Sequence, residues 1–199
     1  MCGRYYIEIG DEELREIAGE IEKNRQNFPG QMTIKTNGDI FPTDIVPVRT
    51  GPQQYLPMRW GFTGPGGNPV INARSETAAQ KPMFRQATAE NRCLIPASGY
   101  YEWQICKGEK IRYRFRLPGS AMYLAGCYRK EQPGSVFNFV ILTKKAQEDI
   151  EDIHKRMPAI IPRKSAEEWL NGGMPALMSL YGCLITLDFE PVPEKQYAL

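Results

Sequence analysis

The chain begins MCGRY, and the cysteine at its second position has chemistry that no internal cysteine shares. Initiator methionine is commonly removed when a small residue follows. Cys2 would then carry a thiol and a free α-amine on adjacent carbons. An α-amine titrates near about pH 7.7–8.0, so an appreciable fraction is neutral at neutral pH. A neutral amine attacks an aldehyde to give a Schiff base, and the neighbouring thiol can close onto the imine carbon as a thiazolidine. While Met1 stays attached, the nitrogen of Cys2 is locked in a peptide bond and the ring cannot form. The bland alternative is a small residue at a frayed terminus, so partners elsewhere in the chain must decide.

Three polar residues could supply them. Glu102 lies in GYYEW, and burial among Tyr100, Tyr101 and Trp103 would raise its pKa towards a useful acid–base range. A solvent-facing strand carboxylate is the alternative. His154 is the sole histidine and stands beside Lys155 and Arg156; on its own it reads equally as structural or catalytic. Asn72 follows an apolar pair in INARSET, where a turn asparagine would also fit. Arg4, Arg74 and Arg156 each lie within two residues of a candidate reactive group. Their forks match phosphate, and Trp60 and Trp103 could stack on bases. Arg112, Arg114 and Arg116 alternate with Ile111, Tyr113 and Phe115, which reads as a half-buried strand with a solvated charged face.

Composition sets the frame for these residues. A chain of 199 residues, 42% hydrophobic and 24% charged, reads as one globular domain spanning 1–199. The net charge of +2 does not by itself argue for nucleic acid; a local patch must. Residues 1–10 lack the apolar core of a secretory signal, and the longest apolar runs, such as residues 139–142, are far shorter than a membrane span. Five cysteines without a C-x-x-C pair, and one histidine, exclude a disulfide framework, a zinc ribbon and a His-rich metal site. Cys93, Cys127 and Cys183 read as small core residues, and a cytoplasmic location is expected.

The elements that must position the candidates follow from periodicity. A short first strand precedes DEELREIAGEIEKNR, an amphipathic helix with Leu14, Ile17, Ala18 and Ile21 on one face. Thr36-Asn37-Gly38-Asp39 predicts a hairpin turn. The proline-bearing stretch at 41–62 predicts short, interrupted strands, and GPGGNP a loop. A short strand, a turn and a helix broken near Pro82 are expected over 70–92. RCLIPA, YYEWQI, KIRYRFRL, AMYLAGCYR and VFNFVILT all read as strands, the second and third joined at residues 106–109. KKAQEDIEDIH predicts a short helix, residues 165–171 and 175–181 two more, and 183–187 a strand. The expected class is α+β: a mixed, mostly antiparallel sheet with a barrel-like core and short flanking helices.

MCGRY, INARSET, RCLIPASGYYEW and IHKRMP occur in the order and approximate spacing of one family. The sequence resembles the SRAP domain, the abasic-site processing proteins also named SOS response-associated peptidases, over nearly its whole length. The resemblance implies a covalent trap for abasic sites in single-stranded DNA, acting at replication forks with fork proteins among its partners. By motif, Cys2 would be the nucleophile, Asn72 would position its amine, Glu102 would shuttle protons, and His154 would assist ring opening and crosslink reversal. Lyase and autopeptidase activities come with the family.

The same resemblance assigns Arg4, Arg74 and Arg156 to phosphate, and Thr143 and Trp103 to the DNA site, while apolar side chains near Met83 could wedge into the gap left by the missing base. It implies no metal or organic cofactor and no membrane. A monomer is expected, associated with the nucleoid when bound to DNA. Three segments depart from the family pattern: Gly66-Gly67-Asn68 where many members carry tryptophans, Pro82 where a basic residue is frequent, and the tail DFEPVPEKQYAL. Two other readings remain at this stage. An N-terminal-nucleophile amidohydrolase also begins Met-Cys-Gly, with Cys2 attacking an amide. A non-catalytic single-strand binding module would need only the arginines and tryptophans.

Overall fold

The computed structural model of the chain describes residues 2–28, 30, 32–172, 176–177, 180 and 184–193. In chain order the first elements are β1 (Arg4–Ile7), α1 (Glu12–Lys23), β2 (Gly38–Ile40), β3 (Ile45–Gly51), β4 (Gln54–Trp60) and β5 (Phe62–Thr63). There follow β6 (Pro69–Val70), β7 (Asn72–Arg74), α2 (Ser75–Ala78), α3 (Arg85–Glu90), β8 (Arg92–Ala97), β9 (Gly99–Cys106) and β10 (Glu109–Arg116). The last are β11 (Met122–Arg129), β12 (Phe137–Lys145), β13 (Arg156–Pro158), β14 (Ile160–Ile161), α4 (Ala166–Asn171) and β15 (Asp188–Pro191).

Two sheets result. The first runs β15–β10–β9–β1–β2 and is antiparallel throughout. Its central hairpin turns at Lys107-Gly108, both at positive φ (50° and 85°), the backbone that a two-residue turn between right-twisted strands requires. In the second sheet β12, β4, β3, β8 and β11 pair in turn, and β11 pairs back with β12, so the strands close into a barrel. Most pairings are antiparallel, but β4 and β7 run parallel to β12. The fold is therefore the mixed, barrel-like α+β arrangement expected from sequence.

One core cluster takes residues from both sheets: Tyr5, Tyr100 and Phe115 from the first meet Met58, Trp60, Cys93 and Phe139 from the second. A second cluster, with Phe62, Phe84, Leu94 and Trp169, lies under the short helices. Helix α1 buries Leu14, Ile17 and Ile21, and Asp11 caps it through Leu14 N at 3.3 Å. The other Asp11 oxygen accepts from Ala121 N at 2.9 Å, tying the helix to the approach of β11. Gly99 is required where β9 crosses β1: a Cβ there would run into the Phe115 carbonyl and the Tyr6 ring. Among the described residues no helix is long and apolar enough to cross a membrane.

Several local expectations are corrected. Asn37-Gly38 makes no hairpin; Gly38 opens β2, which pairs with β1, and the preceding chain meets β3 only at Ile34–Ile45. The proline-bearing stretch forms two full seven-residue strands. Pro47 lies opposite Pro57, away from the points where β3 meets β8 and β4 meets β12, so neither is asked for an N–H there. The segment after β12 forms successive turns rather than a helix, because Gln104 and Ile185 hold it from outside. Residues 184–187 form no strand; the strand comes next, as β15. Arg112 is buried, not solvated, since its guanidinium leans on the Tyr101 ring and donates to the Pro193 carbonyl. Cys93 and Cys127 are buried as expected, whereas Cys183 and most of the helix expected over 175–181 fall outside the described residues.

Candidate active site

Four chain segments meet where β1 begins. The antiparallel pairing of β1 with β9, Arg4 opposite Tyr101, sets Cys2 near the inward-facing Glu102. Strand β7 lies parallel to β12, and Asn72 Nδ2 donates to the Cys2 carbonyl at 2.8 Å. The turns between β12 and β13 are pinned to β9 by Gln104 Nε2 donating to Asp152 O at 3.0 Å. They deliver His154, whose Nε2 stands 3.9 Å from Glu102 Oε2. That gap is too long for a direct hydrogen bond, yet both atoms can reach one substrate oxygen placed between them.

Burial sets the protonation of each group. Glu102 is 2% exposed, and loss of solvation pushes its carboxyl up to about 7. It therefore holds a proton part of the time at neutral pH. The Cys2 thiol has no exposed surface; desolvation and then the charge of Glu102 push its pKa far up, so it is a thiol rather than a thiolate. Burial also lowers the His154 pKa and favours the neutral ring. Its Nδ1 lies 2.9 Å from Arg156 O and 3.1 Å from Arg156 N. Protonated, Nδ1 donates to that carbonyl; unprotonated, it accepts from that N–H. The ring can thus exchange a proton at Nε2 without losing its anchor. Tyr5 and Tyr100, opposite each other across β1 and β9, complete the lining. Both are fully buried, which pushes their hydroxyl pKa well up, and neither hydroxyl has a hydrogen-bond partner among the described residues.

The candidate DNA residues divide into three groups. Strand β12 carries the first: Arg74 lies opposite Thr143, and β13 brings Arg156 to its other edge. Arg74 is exposed. Arg156 is not an open fork, because Nη1 and Nη2 grip the two carboxylate oxygens of Glu76 at 2.5 and 2.8 Å. Its Nη2 also donates to Thr143 O at 2.5 Å. Thr143 is fully buried, its hydroxyl donating to Ala73 O at 3.5 Å, so it braces Arg156 rather than lining an open surface. Arg4 and Trp103 form the second group, on the other face of the strands that carry the reactive residues. The Arg4 guanidinium lies 5.3 Å from the Trp103 ring centre.

Two residues lie apart from the rest. Trp60 has no exposed surface, donates from Nε1 to Ile71 O at 3.0 Å, and packs against Tyr5 and Phe139. Its expected stacking on bases is overturned: it is a core residue. Met83 is half-buried against the second cluster, and its carbonyl accepts from Arg129 Nη1 at 3.2 Å. Sequence reading passed over Glu76 and Tyr5, and took Tyr100 only as a neighbour that buries Glu102. Glu76 had a signal, an acid two residues after Arg74 in the same motif; the tyrosines had none beyond their place beside Cys2 and Glu102.

Comparison with known proteins identifies the family and the fold. The family model described as SOS response associated peptidase (SRAP) matches residues 1–192. The abasic site processing protein YoqW of Bacillus subtilis is 38% identical, over 86% of this chain and 80% of its own length. The abasic site processing protein YedK of Escherichia coli is 29% identical, over 96% of this chain and 90% of its own. Among solved structures, a Bordetella bronchiseptica protein superposes with a TM-score of 0.77 at 24% identity, covering 97% of this chain and all of its own. A Bacteroides thetaiotaomicron protein does so with a TM-score of 0.75 at 21% identity, over 96% and 92%.

Proposed function

The chain belongs to the SOS response associated peptidase family, and from that premise we propose that it processes abasic sites in single-stranded DNA by trapping them covalently on Cys2. The observation that carries this reading is the convergence of four separate segments at one place: Asn72 bonds the Cys2 carbonyl and His154 faces Glu102, with Cys2 and Glu102 buried and Asn72 and His154 half-buried.

The chemistry balances with those groups alone. Hydrolysis of the Met1–Cys2 bond, with water adding across the amide, first releases methionine and frees the α-amine. The abasic sugar is mainly a closed hemiacetal. Glu102, poised near neutrality, and His154 Nε2 can pass a proton from the anomeric hydroxyl to the ring oxygen, which releases the aldehyde. The neutral amine adds to the aldehyde carbon and water leaves, giving an imine. The thiol sulfur then bonds to the imine carbon while its proton moves to the nitrogen, so aldehyde and aminothiol become thiazolidine and water. Asn72 holds the Cys2 carbonyl and so fixes where the amine points. An imine left open would favour loss of the neighbouring phosphate, the lyase outcome; ring closure intercepts it.

A denaturing gel tests the reading. Methionine-processed protein is mixed with single-stranded DNA carrying one abasic site, beside Cys2→Ala and an undamaged strand. A shifted band that needs both Cys2 and the lesion is expected. With Met1 removal verified, no shift would sink the covalent reading.

A further inference from the structure

The outer face of the first sheet carries a row of alternating cations and rings that the reactive pocket does not use. Phe41, just past β2, Arg4 on β1, Trp103 on β9 and Lys110 on β10 follow one another across neighbouring strands. The Arg4 guanidinium lies 4.5 Å from the Phe41 ring centre and 5.3 Å from that of Trp103. Lys110 Nζ is 4.9 Å from the Trp103 centre, and Lys35 Nζ is 5.1 Å from the Phe41 centre. Lys110 is exposed, and the other four are half-buried at the surface.

We propose that this row is a binding strip for the sugar-phosphate backbone of single-stranded nucleic acid next to the lesion, with Lys110 and Lys35 as contacts additional to Arg4. The proposal rests on the DNA reading above. A ring braces a cation without neutralising it, so the row presents positive charge at fixed places, unlike lysines waving in solvent. The Arg4 guanidinium and Lys110 Nζ, 5.3 and 4.9 Å from the same Trp103 ring centre, therefore lie no more than the sum of those two distances apart. Lys35 contributes less, since Asp44 already pairs with it at 2.9 Å. Arg4 is two residues from Cys2, and Trp103 adjoins Glu102 on the opposite face of β9. A strand whose sugar sits beside Cys2 can carry its neighbouring phosphates over the end of β1 and onto this row. Cations already lean on Trp103 and Phe41, so the strip grips phosphate rather than base, and its binding is independent of sequence.

The test uses fluorescence anisotropy of an undamaged single-stranded oligonucleotide across a salt series, which needs no crosslink. Each phosphate contact on a single strand adds about 0.7 to the slope of log affinity against log salt. Lys110→Gln is expected to lower the wild-type slope by about 0.7. Lys35→Gln should lower it by less, and Lys23→Gln, exposed on α1, should leave it unchanged. Wild-type binding with an unaltered slope in Lys110→Gln would overturn the strip and leave the DNA reading standing. So would a Lys23→Gln effect as large as that of Lys110→Gln, since diffuse charge would then explain both. If the wild type shows no salt-dependent binding at all, the strip and the DNA reading fall together.

Discussion

Glu102 and Trp103 are neighbours in sequence, and their side chains meet opposite worlds. Glu102 points into the core, where burial lifts its carboxyl to about 7. Trp103 points outward between two cations at a half-solvated surface. Alternation along β9 thus puts the carboxyl proposed for proton chemistry on a dry face and the ring of the proposed phosphate strip on the solvated one. A second contrast runs along β12. There Glu76 and Thr143 hold Arg156, so the residue expected on phosphate by resemblance is bound internally, while Arg74, opposite Thr143, is exposed. Position near the pocket does not by itself make an arginine a ligand.

Substitutions can break these contrasts. Glu102→Gln should cut the crosslinking rate by about 10²–10⁴-fold in single-turnover gels, the usual worth of a positioned acid–base group. Its affinity for undamaged strand should stay at the wild-type value. A matching loss of affinity would mean that the two faces are not separate.

The same carboxyl should also be visible in stability against pH. Its folded pKa, about 7, exceeds the reference 4.5, so the folded protein keeps a proton that the unfolded chain has released. This contribution is full below about pH 4.5 and is lost as pH rises through 7. Urea melts should therefore show wild type losing on the order of 3 kcal/mol relative to Glu102→Gln across that window. Parallel pH curves would contradict a buried, raised carboxyl.

Glu76→Gln leaves the Arg156 guanidinium without its carboxylate in a partly buried place, and should cost about 1–2 kcal/mol in urea unfolding. Removing the exposed pair between Lys23 and Glu20 should cost under about 0.5 kcal/mol. Equal costs would mean that the Arg156 pair is merely a surface pair. Trp60→Phe loses one hydrogen bond to Ile71 O, about 1 kcal/mol, and has the smallest expected effect on DNA affinity, none. A fall in affinity at unchanged stability would return Trp60 to the strand-binding surface.

The candidate reactive residues were legible in sequence because each sits in a short motif whose residue types point to chemistry. The faces were less so. In LPMRWGF, Met58 and Trp60 share a period of two and both are buried, yet tryptophan chemistry alone suggested a base platform. Strand β15 escaped because DFEP is only four residues long and offers a single large apolar side chain. What it pairs with is visible only across the strands: Phe189 lies 5.4 Å from the Phe115 ring, flanked by Arg114 with Glu190 at 2.5 Å and Arg116 with Asp188 at 3.9 Å. The apolar residues 184–187 drew the strand expectation instead. Between β12 and β13 the helical spacing is real, but Gln104 and Ile185 hold the chain in turns that bring His154 to Glu102. Tertiary contacts overrode local preference where the site needed them to.

The most direct test of the central claim is mass spectrometric peptide mapping of methionine-processed protein after reaction with an abasic single strand. The adduct is expected on the N-terminal peptide of residues 2–4. Its mass should equal peptide plus lesion less one water, unchanged by borohydride because a thiazolidine carbon is already saturated. An adduct that gains two hydrogens on reduction, or one carried by a lysine such as Lys110, would contradict the assignment of amine and thiol to Cys2.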